Sequence, residues 1–444
     1  MTIPLAPEVA AALRDAYAAE WARVVATLIR ATGDWDVAED AAAAAFARAA
    51  ETWPRDGIPR NPGAWLTTTA RNLALDRLRR RGVEADKVRE WIAMEELSRW
   101  SGGPPDPADL AGDALGGEPA WDDRLRLVFT CAHPALPMES RVALTLRTVG
   151  GLDTGEIARA FHVPEATMGQ RISRAKRKIR HAGIPYRVPT ADLLPERLDG
   201  VLAVLYLIAN EGYLASHGDA LLRLDLAAEA IRLARLVVAL MPDADEARAL
   251  LALMLLQHAR SAARVDAAGD LVPLPEQDRS TWDAAQLAEG LALLAPATNA
   301  RRSATPSAPG QAAATRPPGP YRLQAEIQAV HARARTADET DWPAIVARYD
   351  ALAMLADSPF VALNRAIARG MAFGPQTGLD DLALLEASGR LAGYHLLPAA
   401  QADLLRRQGE TDAAASRYRE AIALARTTPE RRFLERRLAE LHVG

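Results

Sequence analysis

The sequence predicts an all-α, multidomain protein, and three observations carry that prediction. Hydrophobic residues fill 49% of the 444 positions but aromatics only 5%, so the apolar share is mostly Ala, Leu and Val. Ala and Leu lose little on entering a helix. Long Leu/Ala patterns at helical spacing run from Leu193 to about Leu294, with no strand-like alternation. Gly and Pro punctuate the remainder into helical blocks. The length suggests about three domains at ~150 residues each.

Taken in order, residues 8–83 predict three helices, Glu8 to Arg30, Asp36 to Thr52 and Pro62 to Arg81. Residues 84–120 end in SGGPPDPADLAGDALGGEPA, a Gly-, Pro- and Asp-rich stretch that reads as a flexible acidic linker. A second helical domain follows at 121–186, then a helical extension at 187–296. Residues 297–320 are low-complexity and predict disorder. Helical periodicity resumes over 321–444. There Gly409, Ala414, Tyr418, Ala421 and Leu424 match one tetratricopeptide hairpin, whose small residues let paired helices approach closely. The pattern's terminal Pro comes late, at Pro429, so a degenerate solenoid and a plain helical bundle both remain open.

Charge is nearly balanced overall, with 53 Lys+Arg against 57 Asp+Glu. That total argues against a polyanion-binding protein, but the local distribution does not. Six Arg and one acid, Asp76, lie between Arg60 and Arg81. Six Lys/Arg and one acid, Glu165, lie between Glu165 and His181. Two basic helices on a flexible acidic tether are the electrostatic footprint of a two-point DNA contact.

The second basic cluster, GLDTGEIARAFHVPEATMGQRISRAKRKIRHAG, reads as helix, tight turn, helix. Asp153 and Glu156 have capping-box spacing, and Ile157, Ala158 and Phe161 supply an inward face. Pro164 suits the start of the second helix. There Met168, Ile172, Ala175 and Ile179 form a packed stripe, while Thr167, Arg171, Arg174 and Lys178 share another face, flanked by Gln170 and Arg177. Such a face suits the major groove, where Arg reads guanine bidentately and Lys neutralises phosphate. The first cluster, NPGAWLTTTARNLALDRLRRR, places Trp65, Thr68, Thr69, Asn72, Asp76 and Arg79 on one face. Leu66, Ala70 and Leu73 occupy another. An aromatic and small hydrogen-bonding residues before an Arg cluster suit unpaired bases beside a duplex. A buried Trp beneath a solvated Arg tail fits the spacing equally well.

Together these segments resemble regions 2 and 4 of a sigma factor of the extracytoplasmic-function (ECF) type. GDWDVAEDAAAAAFARAAETWP is similar to region 2.2, NPGAWLTTTARNLALDRLRRR to regions 2.3–2.4, and RVALTLRTVGGLDTGEIARAFHVPEATMGQRISRAKRKIRHAGIP to region 4. VLYLIANEGY and the RRFLERRLAEL ending are similar to the long ECF subgroup with a tetratricopeptide-like C-terminal extension. The resemblance implies that Glu39, Asp40 and Phe46 dock on the β′ clamp helices of core RNA polymerase, with a further contact on the β flap. It implies −10 recognition by Asn61, Trp65, Thr68, Arg71, Asn72, Arg77, Arg79 and Arg80. It implies −35 recognition by Thr167, Gln170, Arg171 and Arg174, with Lys178 and Arg180 on phosphates. The chain departs from the family pattern at Ala43 and Ala44, where a Gln and an acid are usual, and at Ala209, before the intact Asn210-Glu211-Gly212-Tyr213.

No enzymatic motif appears, and no cofactor or metal is expected. The single cysteine, Cys131, excludes an internal disulfide, and His133 beside it lacks further ligands. Neither a signal peptide nor a membrane span is expected, which points to a cytoplasmic protein. The expected function is promoter-specific initiation with core RNA polymerase on promoter DNA, the extension regulating activity and offering a surface to a protein partner. The alternative is a helix-turn-helix regulator that binds duplex DNA and uses its helical part as a sensor or scaffold.

Overall fold

The computed structural model describes residues 7–80, 122–161, 163–213, 224–266, 270–295, 317–425 and 427–441. The expected linker at 84–120 and all but the last residues of the expected disordered segment at 297–320 lie outside them. Within the described residues every regular element is helical, apart from one isolated bridge between Val265 and Leu271. The all-α prediction holds. The chain divides into two compact units, Met1–Val204 and Leu205–Gly444.

In the first unit, α1 (Pro7–Thr32), α2 (Trp35–Asp56) and α3 (Pro62–Arg80) pack on one another. Asp34 starts α2 by accepting hydrogen bonds from the amides of Asp36 and Val37. The helix runs four residues past the expected end, carrying Pro54 in its last turn, where the missing N–H forfeits only one bond. Asn61 starts α3, its side chain accepting from the Ala64 amide at 3.0 Å.

Next come α4 (Asp123–Cys131) and α5 (Met138–Leu144), the latter continuing into a π-helical turn at Thr145–Val149. Then α6 (Thr154–Ala160) and α7 (Glu165–His181) form the predicted helix-turn-helix. The Asp153–Glu156 capping box is present in both directions, at 2.6 and 2.7 Å. Pro164 is the N-cap of α7 rather than its first helical residue.

The boundary between units falls inside α8 (Leu194–Tyr213), later than the expected boundary at residue 187. The first turns of α8 stay with the first unit because Arg197 donates to the Phe129 carbonyl at 2.9 Å. The second unit contains α9 (Leu224–Leu240), α10 (Asp245–His258), α11 (Ala284–Leu293) and α12 (Pro320–Arg333). It continues through α13 (Trp342–Leu355), α14 (Pro359–Phe373), α15 (Pro375–Ala387), α16 (Leu396–Gln408), α17 (Thr411–Leu424) and α18 (Thr428–Glu440). Helix α10 is buried almost all round, from Ala249 to Leu256, and packs against α9, α11 and α12. That packing joins the two stretches expected as separate domains, 187–296 and 321–444, into one unit. From α12 onward each helix packs on the next. The α16–α17 hairpin turns at Gly409, in the left-handed region at φ +85°, and buries Ala402, Ala414, Tyr418 and Ala421 between its helices.

Candidate nucleic-acid interface

Helix α7 buries Met168, Ile172, Ala175 and Ile179, the predicted stripe, and so turns Thr167, Gln170, Arg174, Lys178 and Arg180 to solvent. Arg171, expected on the same open face, is partly covered and ion-paired to Glu139 of α5 at 2.8 Å. The other helix of the motif buries Ile157 and Ala158, with Phe161 half-buried. The result is a rigidly seated helix with a cationic, hydrogen-bonding outer face.

On α3, Leu66 and Ala70 are buried and Leu73 is half-buried, leaving Asn61, Thr68, Asn72, Arg79 and Arg80 exposed. Trp65 is neither fully buried nor free. It stands edge-on to the buried Trp53 at 5.8 Å between ring centroids, with part of its surface open. Arg71 is half-buried, and Arg77 pairs with Asp40 at 2.7 Å. Of the residues expected to dock on polymerase, Asp40 is exposed, whereas Phe46 lies in an aromatic cluster with Tyr17 and Trp21.

Glu39 points the other way and is only 3% exposed. Its carboxylate accepts from Thr148 Oγ1 at 2.9 Å and Arg147 Nε at 3.2 Å, and Lys176 Nζ lies at 3.1 Å. The same ammonium donates to Asp36 at 2.9 Å. Arg147 and Thr148 belong to the π-helical turn and Lys176 to α7, so one acid of α2 gathers two elements of the helix-turn-helix domain. Further bonds tie the same faces. Trp21 Nε1 donates to the Thr148 carbonyl at 3.1 Å, the Tyr17 hydroxyl to the Gly151 carbonyl at 2.5 Å, and Arg30 pairs with Asp123 at 2.8 Å. Gly151 is required at this contact, because its φ is +80° and a Cβ would lie 2.9 Å from Trp21 Cδ1 and from the Tyr17 hydroxyl. Cys131 is buried beneath the junction, where loss of hydration and then Glu39 push its thiol well above the usual range.

Sequence reasoning missed this junction. The one local signal is Lys176, a cation that falls within the Ile172–Ala175–Ile179 stripe. Among the described residues no group of three His, Cys, Asp or Glu side chains could hold a metal ion, and no helix is long and apolar enough to cross a membrane.

A helix-turn-helix with an exposed basic face, beside a three-helix domain ending in arginines, defines a DNA-binding transcription factor. The comparisons specify the kind. Residues 16–83 match sigma-70 region 2, residues 126–179 match sigma-70 region 4, and residues 197–298 match a family of unknown function, DUF6596. The chain is 41% identical over 420 residues to uncharacterized protein R00370 of Rhizobium meliloti (strain 1021), covering 94% of this chain and 93% of that one. No solved structure matches. The chain belongs to the sigma-70 family, as an ECF-like sigma factor with a C-terminal extension. Such domains belong to non-enzymatic factors for promoter recognition in transcription initiation, and they imply core RNA polymerase and promoter DNA as partners.

Proposed function

We propose that this protein binds core RNA polymerase in the cytoplasm and directs initiation at its own set of promoters. In this reading α7 reads −35 duplex with Thr167, Gln170, Arg171 and Arg174, while Lys178 and Arg180 hold phosphates. Helix α3 takes the −10 strand with Asn61, Trp65, Thr68, Arg71 and Asn72, and Arg77, Arg79 and Arg80 lie along the adjoining backbone. Helix α2 engages the β′ clamp helices through Glu39, Asp40 and Phe46, and the region 4 domain engages the β flap. The helical extension regulates activity and offers its stacked helices, a tetratricopeptide-like surface, to a protein partner.

The observation that supports this reading best is the pairing of an exposed basic face on α7 with the half-open Trp65 and exposed Thr68 and Asn72 on α3. A regulator of duplex alone needs only the first.

The burial of Glu39 adds a condition. Its contacts with Thr148, Arg147 and Lys176 occupy the carboxylate that docking on polymerase would use. Docking therefore requires the two domains to part. The test is run-off transcription with purified core polymerase, together with core binding. Promoter-specific transcripts are expected. Duplex binding without core binding would instead identify a helix-turn-helix regulator.

A further inference from the structure

Among the described residues three arginines of the second unit form no ion pair with a carboxylate. Arg260 and Arg264 are 7% and 8% exposed, and Arg279 is half-buried. All three are held by aromatic faces and main-chain carbonyls. Arg264 stacks on Tyr213 with its guanidinium carbon 3.6 Å from the ring centroid, and it donates to the Tyr213 carbonyl at 2.6 Å. Arg260 donates to the Tyr213 hydroxyl at 2.6 Å and lies 5.7 Å from the Trp282 ring. Arg279 lies 4.7 Å from that same ring and donates to the carbonyls of His331 and Ala334 at the end of α12. The two shared rings thus bring three cations into one cluster.

Among the described residues the charges of this cluster do not balance. A helix C-terminus offers about half a negative charge, so even two such ends supply roughly −1 against three guanidiniums. Aromatic faces attract cations without neutralising them. The cluster's field is felt at His331, held neutral down to about 4 by burial and then by Arg260 and Arg279. Nearby Glu339 is exposed and already paired with Arg335 at 2.8 Å. Hydrogen-bonding capacity is also left over. Arg260 Nε, Trp282 Nε1 and His331 Nδ1 are buried without a hydrogen-bond partner among the described residues. A planar guanidinium fork and an indole N–H are the donors that oxoanions take, often two oxygens at a time.

We propose that the second unit binds a small oxoanion-bearing ligand, through a phosphate or carboxylate group, at the cluster formed by Arg260, Arg264 and Arg279. Tyr213, the last residue of the Asn-Glu-Gly-Tyr motif, holds the first two arginines in place from one side, and Trp282 carries Arg260 and Arg279. The site stands independently of promoter recognition, because every group in it lies in the second unit.

The test is calorimetric titration of the full chain with inorganic phosphate, and separately with succinate, each at ionic strength matched with sodium chloride. Saturable binding of one probe is expected, and the probe that binds identifies the headgroup. Arg279→Gln should weaken that binding about tenfold or more, the loss expected for one charge-assisted bond. Arg260→Met should abolish it. Should Arg260→Met fail to fold, Arg279→Gln, at a half-buried position, still carries the test. No saturable binding of either probe, heats equal to those of chloride, or undiminished affinity in Arg279→Gln would overturn the proposal.

Discussion

Replacing Lys176 with Met should loosen the junction between the region 2 and region 4 domains while leaving the Glu39 carboxylate itself unaltered. Methionine keeps most of the lysine's length and apolar stem, so the perturbation is chiefly the loss of the ammonium. That ammonium donates to Asp36 at 2.9 Å and lies 3.1 Å from Glu39, with its own side chain 8% exposed. Asp36 is half-exposed, and its half of the contact contributes about 0–1 kcal/mol. The buried half is a charged hydrogen bond of about 1.5–3 kcal/mol. Glu39 keeps Arg147 and Thr148, so its carboxylate is not orphaned and the full ~3–5 kcal/mol of a broken buried pair does not apply. About 2–3 kcal/mol results, a roughly 30- to 150-fold shift toward separated domains. The assay is a spectroscopic ruler in the full chain, one dye on an exposed residue of α2 and one on α7, combined with urea unfolding. A longer separation and tighter core binding are expected, and Glu39→Gln should be strongly non-additive with Lys176→Met. An unchanged dye separation together with an unchanged unfolding midpoint would refute the reasoning.

Arg174→Ala should weaken −35 binding by about 1–3 kcal/mol, and Arg171→Ala by less, because Arg171 must first leave Glu139. Lys178→Ala, if its contact is to phosphate, should weaken all duplexes alike and lower the salt slope by about 0.9; both effects are read from fluorescence anisotropy against salt. Gly151→Ala combines a left-handed φ with overlap on Trp21 and Tyr17, so chemical denaturation should report a loss of about 1–3 kcal/mol or more. His331 titrates near 4 in the folded chain and near 6.5 when unfolded. The unfolded chain therefore binds the extra proton between those values. Stability of the second unit should fall as pH drops from about 6.5 to 4 and level off below, and His331→Gln should flatten that dependence in pH-resolved melts.

Much of the region 4 domain was legible because its signals are local. Asp153 and Glu156 are three residues apart, and Met168, Ile172, Ala175 and Ile179 recur on one helical face, so cap and core stripe follow from spacing alone. The exposure of Thr167, Gln170, Arg174 and Lys178 follows in turn. Trp65 was ambiguous by spacing and stays intermediate in structure, half-open against Trp53. The junction was not legible, since Glu39, Thr148 and Lys176 are far apart in sequence and the π-helical turn carrying Thr148 has no pattern of its own. Arg260, Arg264 and Arg279 were equally hidden. Arg260 and Arg264 flank one short 3₁₀ turn and Arg279 begins another, where no helical period assigns a face.

A count of charge along α7 groups six cations as one DNA-facing set, but the fold divides them by partner. Lys176 turns inward to Glu39, Arg180 approaches Asp36 at 3.9 Å, and Arg171 is paired with Glu139, while Arg174, Arg177 and Lys178 stay exposed. Two of the three partnering acids, Asp36 and Glu39, come from α2, the helix proposed to meet polymerase. Any surface that draws α2 away thus removes acids from α7 at the same time. On the proposed docking, departure of α2 would free Lys176 and Arg180, whereas Thr167, Gln170, Arg174 and Lys178 already face solvent in the closed protein. The −4 balance of the whole chain conceals this arrangement, because its cations and acids cancel across different elements.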